Sequence, residues 1–371
     1  MKLTIERAIL LKSLGHVQSV VERRNTIPIL ANVMIRAEAG RLSLTATDMD
    51  LEVVESVAVD VQTDGATTAP AHTLYDIVRK LPEGSQVELA FDSAANAISL
   101  RAGRSRFRLG CLPVADFPTM AGGDMTHQFT LTAADLSGLI ERTRFAISLE
   151  ETRYYLNGIY FHAASDDTPM LRAVATDGHR LARVEMVLPA GAEQMPGIIV
   201  PRKTVNELYR LIEETDSDIK IALNDTKIQF LFGDVVLTSK LIDGTFPDYE
   251  RVIPAANDKT MEVQAKEFAE AVDRVSTIAT EKSRAIKLAL ADGTLTLSAT
   301  SSEQGSATEE LEVAFDADAL EIGFNARYLL DITQQLEGDG ARFVMADAAS
   351  PTIIRDVADP SALYVLMPMR V

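Results

Sequence analysis

A pattern of about 125 residues occurs three times along this chain, and this repetition constrains the fold more than any other feature of the sequence. Three landmarks recur in the same order: Ala46-Thr47-Asp48, Ala69-Pro70 and Cys111-Leu112 in the first copy, Ala175-Thr176-Asp177, Val200-Pro201 and Lys240-Leu241 in the second, and Ala299-Thr300-Ser301, Phe324-Asn325 and Val365-Leu366 in the third. A repeat of this length is a domain rather than a solenoid unit. The chain is therefore predicted to contain three similar domains, at residues 1–124, 125–257 and 258–371.

The spacing of apolar residues predicts two helices in each copy. The first helix has its stripe at i, i+4, i+7 and i+11, and the second at i, i+3, i+4 and i+7, which are the spacings of one helix face. The first stripes are Leu10, Leu14, Val17 and Val21, then Leu136, Ile140, Thr143 and Ile147, then Phe268, Val272, Val275 and Ala279. The second stripes are Leu74, Ile77, Val78 and Leu81, then Val205, Leu208, Tyr209 and Ile212, then Leu329, Ile332, Thr333 and Leu336.

Short strands are predicted between these helices. Segments such as 41–45 and 227–232 alternate apolar and polar side chains, which is typical of strands with one buried face. Each copy then contains strand, helix and strands, twice over. The predicted fold class is α+β, with two helices packed on antiparallel sheet in each of three tandem domains.

Composition excludes several classes of protein. No apolar run approaches the roughly 18–20 residues that a membrane span requires, and the residues from Met1 to Glu6 lack the apolar core of a secretory signal. The single cysteine, Cys111, cannot form an intrachain disulfide, which fits a reducing cytoplasm. The five histidines and this cysteine lack the spacing of zinc ligands. We therefore expect a cytoplasmic protein with no structural metal and no cofactor.

A net charge of −18 opposes tight binding to nucleic acid, because phosphate neutralisation needs a basic surface. Cations nevertheless recur on equivalent helices. They are Lys12, His16 and Arg23 opposite the first apolar stripe (with Ser19), Arg142 and Arg274 at the place of His16 in the later copies, and Arg79, Lys80, Arg202, Lys203 and Arg210 on the second helices. One interpretation is a solvated helix face of mixed charge. The other is a thin cationic surface on an acidic body.

The two end copies carry opposite charges. Arg101, Arg104, Arg106 and Arg108 surround Phe107 late in the first copy, whereas Glu303, Glu309, Glu310 and Glu312 follow the repeated Ala-Thr of the third. The equivalent segment of the second copy, 235–238, is uncharged, so the repeat does not require the arginines. Three similar domains in a row also leave an unpaired sheet edge at each end. Complementary ends favour head-to-tail association, which gives a ring if the rotation closes. Unrelated local charge clusters are the alternative.

Several segments are specific enough to indicate a family. They are Arg153-Tyr154-Tyr155-Leu156-Asn157-Gly158, Ala175-Thr176-Asp177-Gly178-His179-Arg180-Leu181-Ala182, Val200-Pro201-Arg202-Lys203, Phe246-Pro247-Asp248-Tyr249 and Met367-Pro368-Met369-Arg370. Through them the chain resembles, over its whole length, the bacterial DNA polymerase III β subunits, the replicative sliding clamps. The resemblance implies a non-catalytic six-domain ring, a head-to-tail homodimer with helices lining a hole for duplex DNA. It also implies as partners the polymerase III α subunit, a clamp-loader ATPase that opens the ring, and other polymerases and repair proteins.

The resemblance further implies which residues face DNA, namely Arg24, Tyr154, Tyr155, Arg202 and Lys203. Topological linkage would replace binding energy, so a thin cationic lining on an acidic body would keep the ring mobile. The two tyrosines could equally be core aromatics. Glu150 and Glu151 would repel phosphate, which leaves DNA contact by that loop open.

Two protein contacts are also implied. A hydrophobic groove for partner peptides maps to Leu156, Thr176, Gly178, His179, Arg180, Leu181, Pro247, Arg251, Val252, Tyr328, Val365, Leu366, Met367, Pro368, Met369 and Arg370. Flexible apolar side chains such as methionine suit a groove that repacks around different ligands. The dimer interface maps to Arg104, Arg106, Phe107 and Leu109 on the first copy and Thr277, Ile278, Glu303 and Glu309 on the third.

Rival functions have weaker support. Asp48, Asp50, Asp177 and His179 could be imagined as a metal-hydrolase cluster, but Asp48 and Asp177 occupy equivalent positions in different repeats and are predicted to cap the same turn in each. No phosphate-binding glycine loop and no nucleophile elbow is present, so no catalytic residue is predicted. The remaining alternative is a non-catalytic interaction scaffold of the same fold.

Overall fold

The computed structural model describes residues 1–120, 123–165, 168–279 and 284–371, and the same order of helices and strands occurs three times within them, with one additional short strand in the first and third repeats. The first repeat contains β1 (Lys2–Glu6), α1 (Arg7–Gln18), β2 (Asn32–Glu38), β3 (Arg41–Thr47), β4 (Leu51–Ala58), β5 (Asp60–Thr63), β6 (Gly65–Pro70), α2 (Ala71–Lys80), β7 (Gln86–Asp92), β8 (Ala97–Ala102) and β9 (Ser105–Gly110). The second contains β10 (His127–Leu131), α3 (Ala133–Arg144), β11 (Gly158–Ser165), β12 (Pro169–Thr176), β13 (Arg180–Val187), β14 (Ile198–Pro201), α4 (Arg202–Ile212), β15 (Ile219–Leu223), β16 (Lys227–Phe232) and β17 (Val235–Lys240). The third contains β18 (Lys259–Gln264), α5 (Ala265–Ser276), β19 (Ala285–Ala291), β20 (Thr294–Ser301), β21 (Gly305–Glu312), β22 (Ala314–Phe315), β23 (Leu320–Asn325), α6 (Ala326–Thr333), β24 (Gly340–Met345), β25 (Thr352–Asp356) and β26 (Ala362–Leu366). The predicted α+β class, with two helices per repeat, is confirmed.

The described residues form two compact units. The first consists of Met1–Leu136, Pro189–Gln194 and Lys203–Leu241, and it contains a five-stranded sheet of order β5-β1-β7-β8-β9 and an eight-stranded sheet of order β10-β15-β16-β17-β4-β3-β2-β6. The second consists of Ser137–Leu188, Met195–Arg202 and Ile242–Val371, and its sheets have the orders β14-β11-β12-β13-β26-β25-β24-β18-β22 and β21-β20-β19-β23. The middle repeat contributes strands to both units. The three domain ranges given above therefore stay a prediction.

One pairing rule joins successive repeats. β4 of the first repeat pairs antiparallel with β17 of the second, and β13 of the second pairs in the same way with β26 of the third. β4, β13 and β21 are the third strands after the first helix of their repeats, and β9, β17 and β26 are the last strands. Two members of these sets, β21 and β9, lie at the edges of their sheets in the part of the chain that the structure describes.

The helices bury the apolar stripes read from the sequence. In the first unit α1 packs on α2, β3 and β4, and in the second α5 packs on α6, β20 and β21. Leu10, Leu14 and Val17 are fully buried, and burial of each such side chain stabilises the fold by about 1.5–3 kcal/mol. The first helices nevertheless end earlier than predicted, since Val21, Ile147 and Ala279 lie in the turns beyond them. Two of these side chains, Val21 and Ile147, are still buried, which is why they match the periodic pattern without being helical.

The predicted solvent face of α1 is wrong at His16. This side chain is only 7% exposed, and its Nδ1 and Nε2 lie 2.6 Å from Glu55 Oε2 and 3.0 Å from Glu214 Oε2. Burial lowers the pKa of His16, but the hydrogen bonds to both carboxylates outweigh it, so the pKa is raised above its usual value. At the equivalent place in α3, Arg142 is also largely buried, where it pairs with Asp359 at 2.7 Å. Helical periodicity missed these contacts because segments distant in sequence cover the helix face.

The raised pKa of His16 makes α1 sensitive to pH. A group with a raised folded-state pKa contributes stability that is fully present below its unfolded pKa of about 6.5 and is lost as pH rises through the folded value. We expect hydrogen exchange in α1 of the wild type to accelerate, relative to a His16→Gln variant, as pH rises above that range. Mass spectrometry across a pH series measures the ratio. A ratio that does not change with pH would contradict the assignment of a charged His16.

Candidate functional site

The same turn follows the repeated Ala-Thr motif in all three copies. Oδ1 of Asp48 and Oδ1 of Asp177 each accept hydrogen bonds from the backbone N–H groups two and three residues further along, at 2.7–3.0 Å, and Oγ of Ser301 does so at 3.3 Å. The prediction that both aspartates cap an equivalent turn is confirmed. These carboxylates hold the β3–β4 and β12–β13 connections, and the second of these connections carries part of the predicted groove.

The floor of the predicted partner groove is a buried apolar cluster in the second unit. Leu156, Leu181 and Val365 belong to one cluster with Phe246 and Tyr249. Leu181 on β13 lies directly opposite Val365 on β26, so sheet register brings these two groove residues together. All sixteen predicted groove residues lie in this unit.

A rigid polar rim adjoins this floor. The Arg180 guanidinium pairs with Asp177 at 3.2 Å and with Asp331, and it lies 4.4 Å from the centre of the Tyr328 ring. The same ring stacks with His179, the two centroids being 6.2 Å apart. The rim therefore contains a cation held by two carboxylates and two stacked rings.

The chain from Met367 to Val371 borders the same site. The Met367 N–H donates to the His179 carbonyl at 2.9 Å, and the Met369 N–H donates to the Gly323 carbonyl at 2.8 Å. Met367 is 41% exposed and Val252 50% exposed, so both offer apolar surface beside the buried floor. Arg251, by contrast, is directed into an ion pair with Asp248 and is mostly exposed.

The predicted DNA-facing residues have different surroundings. Arg24 and Arg202 are exposed, and neither forms an ion pair with any residue that the structure describes. Lys203 is already paired, since its ammonium donates to Asp48 Oδ2 at 2.6 Å, to the Val20 carbonyl at 3.1 Å and to Glu22. Burial lowers the pKa of Lys203, but these carboxylates raise it by more. Tyr154 is 53% exposed, whereas Tyr155 is partly buried against the groove cluster.

Sequence reasoning missed several supporting residues. Arg153 donates two hydrogen bonds to the Glu150 carboxylate, at 2.6 and 2.7 Å, and a third to the Asp177 carbonyl at 3.0 Å. These hydrogen bonds lower the pKa of Glu150 and compensate its charge within the chain. The i, i+3 spacing of this pair was a usable signal. No sequence signal indicated Asp331, which pairs with Arg180, because the two residues are brought together only by the tertiary fold.

The edges β9 and β21 carry the predicted dimer residues. Arg104 and Arg106 are exposed and have no ion pair among the described residues, and Phe107 is 38% exposed on the same edge. On the other edge, Glu309 accepts two hydrogen bonds from Arg274, at 2.6 and 3.1 Å. The remaining interface residues lie on or near the same two segments: Leu109 on β9, Thr277 and Ile278 just after α5, and Glu303 just before β21.

None of the helices in the described ranges is both long and apolar enough to cross a bilayer.

Comparison with known proteins identifies the family. Models of the N-terminal, central and C-terminal domains of the DNA polymerase III beta subunit match residues 1–121, 130–248 and 250–370. The beta sliding clamps of Caulobacter vibrioides and Escherichia coli K12 are 54% identical over 372 residues and 41% identical over 373, with 100% of each chain covered. The structure superposes on the sliding clamp of Bartonella birtlesii bound to griselimycin with a TM-score of 0.98 (53% identity), and on that of Pseudomonas aeruginosa bound to griselimycin with 0.95 (40%), both over 100% of each chain.

Three similar α+β repeats joined through their sheets define a DNA clamp fold. The chain belongs to the DNA polymerase III beta subunit family, the bacterial beta sliding clamps. It is thus a non-catalytic processivity factor of that polymerase, and DNA and polymerase are the partners that the family implies.

Proposed function

We propose that two copies of this chain close head to tail into a six-domain ring around duplex DNA. The pairing rule between repeats is the observation that carries this proposal. β4 pairs with β17 and β13 with β26, which leaves β21 and β9 as the next pair of the series. Pairing β21 of one chain with β9 of another is a heterologous contact, and two such contacts close a ring.

The chemistry of the two edges supports this contact. Arg104 and Arg106 on one chain have no ion-pair partner among the described residues, and Glu303 and Glu309 would face them from the other. Glu303 supplies the uncompensated acidic charge, because Glu309 is already paired with Arg274 in its own chain. Complementary charge of this kind mainly sets register and association rate. Phe107 of one chain packs against the end of α5 of the other, near Ile278, and supplies the apolar part of the interface. Leu109 and Thr277 flank these groups.

Within the ring, Arg24 and Arg202 are the principal phosphate contacts. Both are exposed and uncompensated among the described residues, whereas the charge of Lys203 is shared with Asp48 and Glu22. Lys203 mainly anchors the start of α4 through these contacts, and its contribution to DNA binding is secondary. Tyr154 offers a half-exposed ring that can contact the DNA backbone, and Tyr155, which packs against the groove cluster, lies beside it.

The DNA assignment is tested with a variant carrying Arg24→Ala and Arg202→Ala. We expect weaker direct binding to a short duplex, and a slope of log affinity against log salt that is smaller by about 0.9 for each phosphate that the variant no longer neutralises. Fluorescence anisotropy across a salt series measures the slope. The control is Arg251→Ala, which removes an exposed arginine from the groove region and should leave the slope unchanged. Equal slopes for wild type and double variant would remove these residues from the DNA surface.

The groove of the second unit binds short peptides from the DNA polymerase III α subunit, the clamp-loader ATPase, and other polymerases and repair proteins. Its buried floor, fixed polar rim and exposed Met367 form an apolar site with a few oriented polar groups, as ligand sites commonly do. Griselimycin, which is bound to the related clamps of Bartonella birtlesii and Pseudomonas aeruginosa, is expected to bind this chain as well and to compete with the α subunit. The protein works in the cytoplasm, where its DNA is.

A further inference from the structure

In the second repeat, the segment after the last strand folds back over the sheet and closes it with an aromatic ring. The Ile242 N–H donates to the Ile199 carbonyl at 3.0 Å, and four residues later Phe246 stacks on Tyr160, with centroids 4.8 Å apart and ring planes 6° from parallel. Both rings pack against a cluster that includes Val174. The ring of Phe246 therefore covers the face of β11, β12 and β14.

The first repeat closes the equivalent face in the same way. Phe117, which like Phe246 is followed by proline, packs in a cluster with Met34, Ile29 and Leu30. Met34 corresponds to Tyr160 by register. The proline before the second helix pairs with Asn32 in the first repeat and with Gly158 in the second, and Met34 and Tyr160 each lie two residues after that partner. An aromatic residue before proline is thus the recurrent cover of this position.

In the third repeat the same position is an open pocket. Counted from the strand pairings, Lys287, Ser298 and Gly323 stand where the second repeat has Tyr160, Val174 and Ile199. These three residues line a pocket of about 710 Å³, within the range of roughly 300–1,000 Å³ that is usual for ligand clefts. A Cβ atom on Gly323 would collide with the Val371 side chain and would lie 2.5 Å from the Met369 carbonyl oxygen. This glycine therefore lets the tail lie flat along one wall, with Val371 directly over Gly323 and the pocket beside it.

The lining indicates the chemistry of an occupant. Met369 offers a flexible apolar contact for a ring, and the cation of Arg370 can lie over the face of that ring or meet a nearby carboxylate. Lys287 is already paired, since its ammonium lies 3.3 Å from the carboxylate of Glu321, which also lines the pocket. The segments that carry Phe117 and Phe246 combine an aromatic ring with an acidic residue, since an aspartate precedes Phe117 and another follows Pro247. Met369 and Arg370 are also residues of the proposed partner groove, so the pocket continues that groove past the tail.

We propose that this pocket extends the partner groove and receives an aromatic side chain from an extended, acidic segment of the polymerase α subunit. The proposal rests on the proposed function of the groove. The aromatic ring of the α subunit would pack on the third repeat in the way that Phe117 and Phe246 pack on the first and second repeats of this chain.

The test uses a fluorescein-labelled peptide with the sequence of residues 241–248, and the same peptide with alanine in place of the phenylalanine. Ser298→Tyr fills the pocket, and its matched control Thr296→Tyr adds the same ring on the same face of β20, outside the lining residues. Val252→Arg blocks the groove alone. By anisotropy we expect saturable binding to wild type, to Thr296→Tyr and to Val252→Arg, and affinity at least about 10-fold weaker, or 1.4 kcal/mol, for Ser298→Tyr and for the alanine peptide.

A second measurement separates the pocket from the groove. Ser298→Tyr should weaken binding of the intact α subunit by about 10-fold, whereas Val252→Arg should weaken it by more. No saturable binding of the phenylalanine peptide, or equal affinity for wild type and Ser298→Tyr, would overturn the pocket. Unchanged α-subunit affinity in Ser298→Tyr would overturn its use by the polymerase. Unchanged affinity in Val252→Arg would instead count against the proposed groove.

Discussion

A chain in which Phe107 and Ile278 are both replaced by aspartate is expected to be a folded monomer. Phe107 is 38% exposed on an edge strand, and Ile278 follows α5 close to the other edge. Aspartate at both positions removes the apolar contact and places two carboxylates in one interface, which costs several kcal/mol through repulsion and desolvation. Light scattering at about micromolar concentration gives the mass, and circular dichroism reports the fold.

The control for this variant is a chain with Leu149→Asp and Val187→Asp. These residues are 71% and 67% exposed and neither lies on β9 or β21, so the control makes the same change in charge away from the two edges. This chain should stay dimeric. A monomeric wild type, or a dimeric Phe107→Asp/Ile278→Asp variant, would refute edge-to-edge closure.

Deleting Met367–Val371 is expected to abolish binding of the α subunit while the dimer persists. The deletion removes the exposed Met367 and the two backbone hydrogen bonds that hold the tail beside His179 and Gly323. A few hot-spot residues near the centre of an interface contribute about 2 kcal/mol or more each, and we expect the deleted tail to include at least one, giving a loss of at least roughly 100-fold, or about 2.7 kcal/mol. Isothermal titration with the purified α subunit measures this loss.

Two companion measurements locate the effect of the deletion. Val252→Arg leaves the tail intact and should weaken binding of the α subunit through another part of the groove. Arg202→Ala, outside the groove, should not change the affinity. If the truncated chain bound the α subunit as tightly as the wild type, the groove would have to lie elsewhere on the clamp.

Much of the fold could be predicted from the sequence, because each element repeats a local pattern three times. Leu10, Leu14 and Val17 predict α1 by their spacing, and each landmark before a second helix, such as Ala69-Pro70, marks where a strand ends in the structure. The turn at Asp48 and Asp177 was predictable for the same reason, since a side-chain cap acts within three residues. The free edges followed from counting domains in a row.

Long-range contacts could not be predicted in this way. The surroundings of His16 depend on Glu55 and Glu214, which helical periodicity does not relate to it. The positive charge of Lys203 is likewise compensated by Asp48, which lies far away in sequence. The family resemblance named the groove residues, but the ion pair between Arg180 and Asp331 that fixes the rim appears only in three dimensions.

The protein is proposed to hold DNA by encircling it, and release from a closed circle tests this most directly. Rings are placed on a nicked circular plasmid by a clamp loader, and retention through gel filtration is measured at about 0.3 M salt, where ordinary contact binding is strongly weakened. We expect the protein to stay on the circle and to leave once a restriction enzyme cuts the DNA a single time. Equal retention on circular and linear DNA, falling with salt in both, would show that contact binding rather than topology holds the protein.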